Sequence, residues 1–158
     1  MELQGSQHAS DRRFAIVVSS FNKEITDGLL RGARAVLSES GVKDGDVTIV
    51  RVPGAFEIPL AARRLASTGR FAGVICLGCL IKGDTMHFEY IAEAASHGIM
   101  AASADTGVPV TFGVLTTLTE EQAVLRSADG PDNKGREAAR AAVEMATIVH
   151  AIEGLGRA

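Results

Sequence analysis

Continuous apolar runs along this chain alternate with segments whose apolar residues recur every three or four positions. Phe14-Ala15-Ile16-Val17-Val18 is unbroken and partly β-branched, as expected of a strand buried on both faces. Asn22 then predicts a helix cap, with Glu24 in the first turn. Ile25, Leu29, Ala33, Val36 and Leu37 form that helix's inner face, and Gly41 stops it. Val47 to Val52 predicts a second strand, broken by Pro53-Gly54. The helix after it carries Ile58, Ala61, Ala62 and Leu65 at core spacing, with Pro59 tolerated in the first turn. Gly73 to Ile81 predicts a third strand, and its helix places Ile91, Ala94, Ala95, Gly98, Ile99 and Ala102 on one face. Val108 to Leu115 predicts the fourth strand. Thr119 with Gln122 reads as a capping box opening a short helix that ends near Ser127. Ala128 to Gly135 reads as a loop. Ala138, Ala141, Ala142, Met145, Val149 and Ile152 mark a final long helix.

Strands of this kind separated by helices predict a parallel sheet covered on both faces, a single three-layer α/β domain over residues 13–158. Residues 1–12 are polar and patternless and read as a flexible arm. With 158 residues, 46% hydrophobic and 22% charged, the chain can bury a substantial aliphatic core. A formal net charge of −3 argues against non-specific nucleic-acid binding, so an anionic ligand must be met by local charge. No signal peptide and no membrane-spanning run is evident, which makes the cytoplasm the expected location.

In open parallel sheets, ligands bind beyond the carboxyl ends of the strands. The unusual residues fall there: Ser19-Ser20-Phe21-Asn22, Pro53-Gly54-Ala55-Phe56-Glu57, Gly78 to Thr85, and Phe112-Gly113 from the fourth strand. The most telling stretch is Gly83-Asp84-Thr85-Met86-His87-Phe88-Glu89-Tyr90-Ile91. A glycine turn there leads into a helix with a histidine in its first turn. Unpaired N–H groups and the positive end of a helix dipole form an anion site, and histidine, with an unperturbed pKa of about 6.5, exchanges protons near neutrality.

Each residue also has a plain structural reading. Phe21 could staple a helix or stack on a planar ring. Glu57 could favour a helix start or accept from ligand hydroxyls. Asp84 and Thr85 are good N-cap residues, His87 could be a surface histidine, and Arg126 and Lys134 could be solvated charges. Cys76 and Cys79 form a CxxC inside an apolar run, which favours buried reduced thiols over a redox pair or a zinc site. Phosphate-loop, dinucleotide-fold, zinc-protease and serine-hydrolase signatures are absent. From the residues alone, the expectation is a small-molecule site with a phosphate pocket and a histidine acid/base.

Five segments together resemble the lumazine synthase family: Ser20-Phe21-Asn22, Val52-Pro53-Gly54-Ala55-Phe56-Glu57-Ile58-Pro59, Gly83 to Tyr90, Phe112-Gly113-Val114-Leu115-Thr116-Thr117 and Asn133-Lys134-Gly135. The resemblance runs from about Phe14 to Ile152. It implies a flavodoxin-like three-layer fold with a four-stranded parallel sheet, open to extension by a neighbouring subunit's N-terminal arm. The implied reaction joins 5-amino-6-(D-ribitylamino)uracil to 3,4-dihydroxy-2-butanone 4-phosphate, the penultimate step of riboflavin biosynthesis, with no metal and no organic cofactor. By position, Phe21 would stack on the pyrimidinedione. Ala55, Phe56 and Glu57 would hold the ribityl chain, and Cys79, Leu80 and Ile81 would line the ring pocket. Gly83, Asp84, Thr85 and Arg126 would grip the phosphate with Lys134 nearby, and His87 would move protons. The resemblance also implies that Phe112, Arg126 and Lys134 come from an adjacent subunit. The assembly would be a homo-oligomer (pentamer, decamer or sixty-subunit shell), with riboflavin synthase as a partner.

Three departures stand out: Ser20 replaces a common basic residue, Cys79 a common threonine, and Asp129-Gly130-Pro131-Asp132 a more usual Gly/Lys-containing loop. Two other readings are a non-catalytic flavin- or lumazine-binding protein and a structural cage. Retention of both Arg126 and His87 weighs against a pure binder.

Overall fold

The four predicted strands are all present and parallel: β1 (Phe14–Ser19), β2 (Val47–Val52), β3 (Gly73–Ile81) and β4 (Val110–Thr117), side by side in the order β2-β1-β3-β4. This computed structural model describes residues 1–157. Phe14 pairs with Val47 on one side and Gly73 on the other, and Val74 pairs with Val110. Helices α1 (Lys23–Glu39), α2 (Ile58–Ala66) and α3 (His87–Thr106) connect the strands, and α4 (Glu120–Ser127) and α5 (Lys134–Leu155) follow β4.

Strand side chains alternate between the faces, and each face builds its own core. Phe14, Ile16, Val18, Ile75, Leu77 and Leu115 pack under α1 and α5. Ala15, Val17, Val74, Cys76 and Val114 pack under α2 and α3. The chain steps from β1 to β2 in one direction and from β2 to β3 in the other. Right-handed crossovers therefore put α1 and α2 on opposite faces. That reversal leaves a crevice between the carboxyl ends of β1 and β3, where such sheets bind ligands. Fully buried Phe14, Ile16, Leu29, Ile58, Ile75 and Leu77 anchor the two layers, each contributing about 1.5–3 kcal/mol of burial.

The expected three-layer architecture is present, and five details differ, the first being that Ala94, expected on the inner face of α3, is exposed. β2 is an edge strand with Thr48, Ile49 and Arg51 exposed, so it is not covered on both faces. β4 starts at Val110 and runs on through Thr116-Thr117, which places Phe112 early in the strand instead of at its end. α5 is rotated from the expected phase: Ala138, Ala139, Ala142, Val143 and Ala146 are buried, whereas Ala141, Met145 and Ile152 are exposed. Lys134 and Gly135, expected in the loop, are its first turn.

Residues 1–12 contain no helix or strand, yet the segment touches the body. Ser6 N–H donates to Thr147 Oγ1 (2.8 Å), Gln7 Nε2 donates to Arg140 O (3.1 Å), and Ala9 is buried with its N–H on Ser40 O (2.9 Å). The CxxC pair is split by strand alternation, with Cys79 under α1 and α5 and Cys76 under α2 and α3. Both are free, buried thiols.

Candidate active site

Three strand ends converge at the crevice. The ladder continues past β1 and β2: Ser20 N–H donates to Val52 O (2.8 Å) and Phe21 N–H to Pro53 O (3.1 Å). Asn22 then turns the chain with left-handed dihedrals (φ 56°, ψ 51°), a conformation that asparagine tolerates better than most residues. It does not cap α1 with its side chain, as the sequence led one to expect. Its Nδ2 instead donates to Cys79 O (3.1 Å), tying the β1 loop to the end of β3. Asp27 on α1 holds Arg51 of β2 (2.8 Å) and pairs with Lys23. Lys23, then Arg51, keeps its carboxyl below the usual carboxylate range.

The loop after β2 forms one tight 3₁₀ turn, Ala55–Glu57. Glu57 Oε2 accepts from Gly54 N–H (3.0 Å) and Glu57 N–H donates to Gly54 O (3.2 Å). The plain reading of Glu57 as a capping group thus accounts for one of its oxygens. Pro59 sits in the first turn of α2, as expected.

Beyond β3, the turn from Lys82 to Met86 delivers the chain to α3, which opens at His87. Neither Asp84 nor Thr85 is the cap: Met86 occupies that position, with no side-chain cap, and Thr85 Oγ1 is only a long acceptor for His87 N–H (3.4 Å). The first-turn amides of a 20-residue helix therefore stay open to a ligand beside an exposed imidazole. Lys82 pairs with Glu89 (3.4 Å) across this turn.

These elements enclose a cleft of about 620 Å³ lined by Phe21, Asn22, Pro53, Gly54, Ala55, Phe56, Glu57, Cys79, Leu80, Ile81, Gly83, Thr85, His87, Phe88 and Ile91. Asp84 lies in the same turn and is exposed, outside the lining. Phe21 and Phe56 are 70% and 61% exposed, so two aromatic faces stand open at the cleft. Burial, and then Glu120, pushes the Cys79 thiol up to about 11, so at neutral pH it keeps its proton and is no nucleophile.

Phe112, Arg126 and Lys134 are elsewhere. They line a second cleft of about 290 Å³ with Gly113, Glu137 and Ala141. Arg126 Nη1 donates to Gln122 O (3.1 Å) and Lys134 pairs with Glu137 (2.6 Å). Of the four expected contributing segments, three meet in one chain and the fourth does not. Asn22, Phe88 and Ile91 line the cleft although the sequence assigns none of them a ligand-binding role; Ile91 was expected in the core and is half-buried. The signal for Asn22 was its place immediately after Phe21, read there as a cap. Among the described residues, no group of three or more His, Cys, Asp or Glu side chains could hold a metal ion, and no helix is long and apolar enough to cross a membrane.

A parallel α/β domain with open aromatic faces, an uncapped helix N-terminus and a histidine in a cleft at the sheet's switch point belongs to the class of α/β domains that bind a small molecule there. Residues 11–150 match the family described as 6,7-dimethyl-8-ribityllumazine synthase. The chain is 56% identical over 140 residues to 6,7-dimethyl-8-ribityllumazine synthase 1 of Caulobacter vibrioides, covering 89% of this chain and 92% of that protein. It is 48% identical to the 6,7-dimethyl-8-ribityllumazine synthases of Salinibacter ruber and Desulfotalea psychrophila, each covering 96% of this chain and 97% of the relative. The chain belongs to the 6,7-dimethyl-8-ribityllumazine synthase family, and its activity is the lumazine synthase step of riboflavin biosynthesis.

Proposed function

We propose that two copies of this chain form each active site, one giving the 620 Å³ cleft and the next giving the groove that holds Phe112, Arg126 and Lys134. The substrates are 5-amino-6-(D-ribitylamino)uracil and 3,4-dihydroxy-2-butanone 4-phosphate. One observation carries the reading: the residues this chemistry needs divide between two clefts of one chain, and exposed apolar side chains stand near both. Phe21 and Phe56 line the first, with Met86 and Tyr90 exposed close by along the chain, and Phe112 lines the second, with Leu125 exposed beside Arg126 and Lys134. Exposed apolar residues so grouped mark interaction surfaces. A closed ring of subunits, a pentamer, repeats this heterologous contact without leaving an end.

In this site Phe21 stacks on the pyrimidinedione while the backbone of Cys79, Leu80 and Ile81 edges the ring. Ala55 and Phe56 flank the ribityl chain, and Glu57 Oε1 accepts from its hydroxyls. The amides of Gly83, Asp84 and Thr85 take the phosphate from one side, and Arg126 takes it from the other, with Lys134 adding charge. The 5-amino group attacks the ketone and water leaves to give an imine. Phosphate then departs by elimination, leaving an enol that tautomerises to a new carbonyl, and the ribitylamino nitrogen closes the second ring on that carbonyl with loss of a second water. His87 accepts and returns protons along this path. Holding two reactants together makes the larger contribution, since effective molarities reach about 10⁵ M or more for well-oriented pairs. The work takes place in the cytoplasm, with the single domain starting at residue 13 and residues 1–12 as an N-terminal arm laid against it.

Mixing the protein with both substrates tests the reading. Lumazine fluorescence should appear together with one released phosphate per product. Tight flavin or lumazine binding without turnover would overturn it in favour of a binding protein.

A further inference from the structure

Asn133 is 2% exposed and lies where α1, the end of α4 and the start of α5 meet. Its Oδ1 accepts from Gly135 N–H (2.9 Å) and Arg136 N–H (3.1 Å), capping α5. Its Nδ2 faces three carbonyls: Gly28 O (3.1 Å), Ser127 O (2.9 Å) and Ala128 O (3.1 Å). Backbone N–H groups only donate and backbone carbonyls only accept, so chemistry fixes which way this side chain points.

Glycines surround it. A Cβ on Gly28 would stand 2.4 Å from Ser127 O, one on Gly32 2.1 Å from Asn133 Oδ1, and one on Gly135 2.0 Å from Leu29 O. Bare backbone at these positions lets α1 touch the α4–α5 junction directly, and the amide locks that contact. Ser127 directly follows Arg126, and Lys134 directly follows Asn133. The residues between, Ala128 to Asp132, are all exposed, and Asp129 reaches α1 only through an exposed ion pair with Arg31 (3.2 Å), a weaker tether than a buried amide.

We propose that Asn133 is a positioning residue: its side-chain amide sets the spacing and aim of Arg126 and Lys134 toward the phosphorylated substrate. This rests on the reading of Arg126 and Lys134 as the phosphate grip. Arg126 has one hydrogen bond within its own short helix, to Gln122 O. Its placement therefore depends on where the α4 end is held.

Two substitutions separate this role from general stability. Asn133→Asp keeps an acceptor for the α5 amides but turns a carboxylate oxygen toward three carbonyls. Asn133→Ser keeps a capping hydroxyl and removes the donors. In steady-state assays with each substrate varied, the butanone-phosphate KM and the inhibition constant of inorganic phosphate should both rise about tenfold, because misplacement by about 1 Å can cost more than that. The KM for the ribitylaminouracil and kcat should stay within about twofold. Acidifying the assay should protonate the carboxyl introduced by Asn133→Asp and restore one donor, so the ratio of its butanone-phosphate KM to wild type should fall with pH.

Equal losses for both substrates, a KM ratio that ignores pH, or failure of both variants to fold would overturn the proposal. So would unchanged constants in both variants while Arg126→Ala still weakens phosphate use. If Arg126→Ala itself leaves the butanone-phosphate KM unchanged, the phosphate-grip reading is what fails.

Discussion

Replacing His87 with alanine should lower kcat by about 10²–10⁴, the range for removing one general acid/base. The protein should remain measurably active, because positioning the two substrates does not pass through the imidazole. His87 is exposed at the first position of α3 and has no packing role to confuse the result. Its backbone N–H, not its ring, meets Thr85, so the turn should survive the change. Thermal unfolding unchanged alongside a large loss of kcat is the expected pair of readings. An unchanged kcat would remove the acid/base assignment.

Arg126→Ala should act on one substrate. A charge-assisted contact to phosphate is worth about 1.5–3 kcal/mol, so the butanone-phosphate KM should rise about 10- to 100-fold. The KM for the ribitylaminouracil should change by no more than about twofold. Arg126 is exposed on α4, and its own hydrogen bond runs to Gln122 O within that helix, so little stability is at stake. Steady-state kinetics with each substrate varied in turn separates the two effects. Equal changes in both constants would place Arg126 outside the phosphate grip.

The sheet was legible because its apolar runs are long and uniform. The inner face of α1 was legible too: Ile25, Leu29, Ala33, Val36 and Leu37 are all buried, as periodicity alone implies. α5 was not. Its alanines supply two nearly equivalent apolar stripes, so the pattern has little contrast. Close approach to β4, where a Cβ on Gly113 would meet Ala138 at 3.0 Å, selects the stripe of small residues, and Met145 and Ile152 turn outward.

The cleft was readable from local signals, a glycine turn, an aromatic after a strand and a histidine opening a helix. Phe112 was misplaced at the strand end because the β-branched pair Thr116-Thr117 carries β4 two residues past Leu115. In the sequence Asn22 reads as a helix cap and Asn133 as part of a loop. Their partners, Cys79 O and Gly28 O, lie 57 and 105 residues away, and no local pattern encodes such distances.

Co-assembly of two impaired variants tests the shared site most directly. His87→Ala and Arg126→Ala subunits would be co-expressed, isolated as mixed oligomers sized by light scattering, and assayed at butanone-phosphate concentrations low enough that each variant alone is nearly silent. In a ring whose sites pair one chain's cleft with the next chain's groove, random mixing regenerates about a quarter of the sites intact, and activity should recover to about that fraction of wild type. Mixed oligomers no more active than the average of the two parents would contradict a site built from two chains.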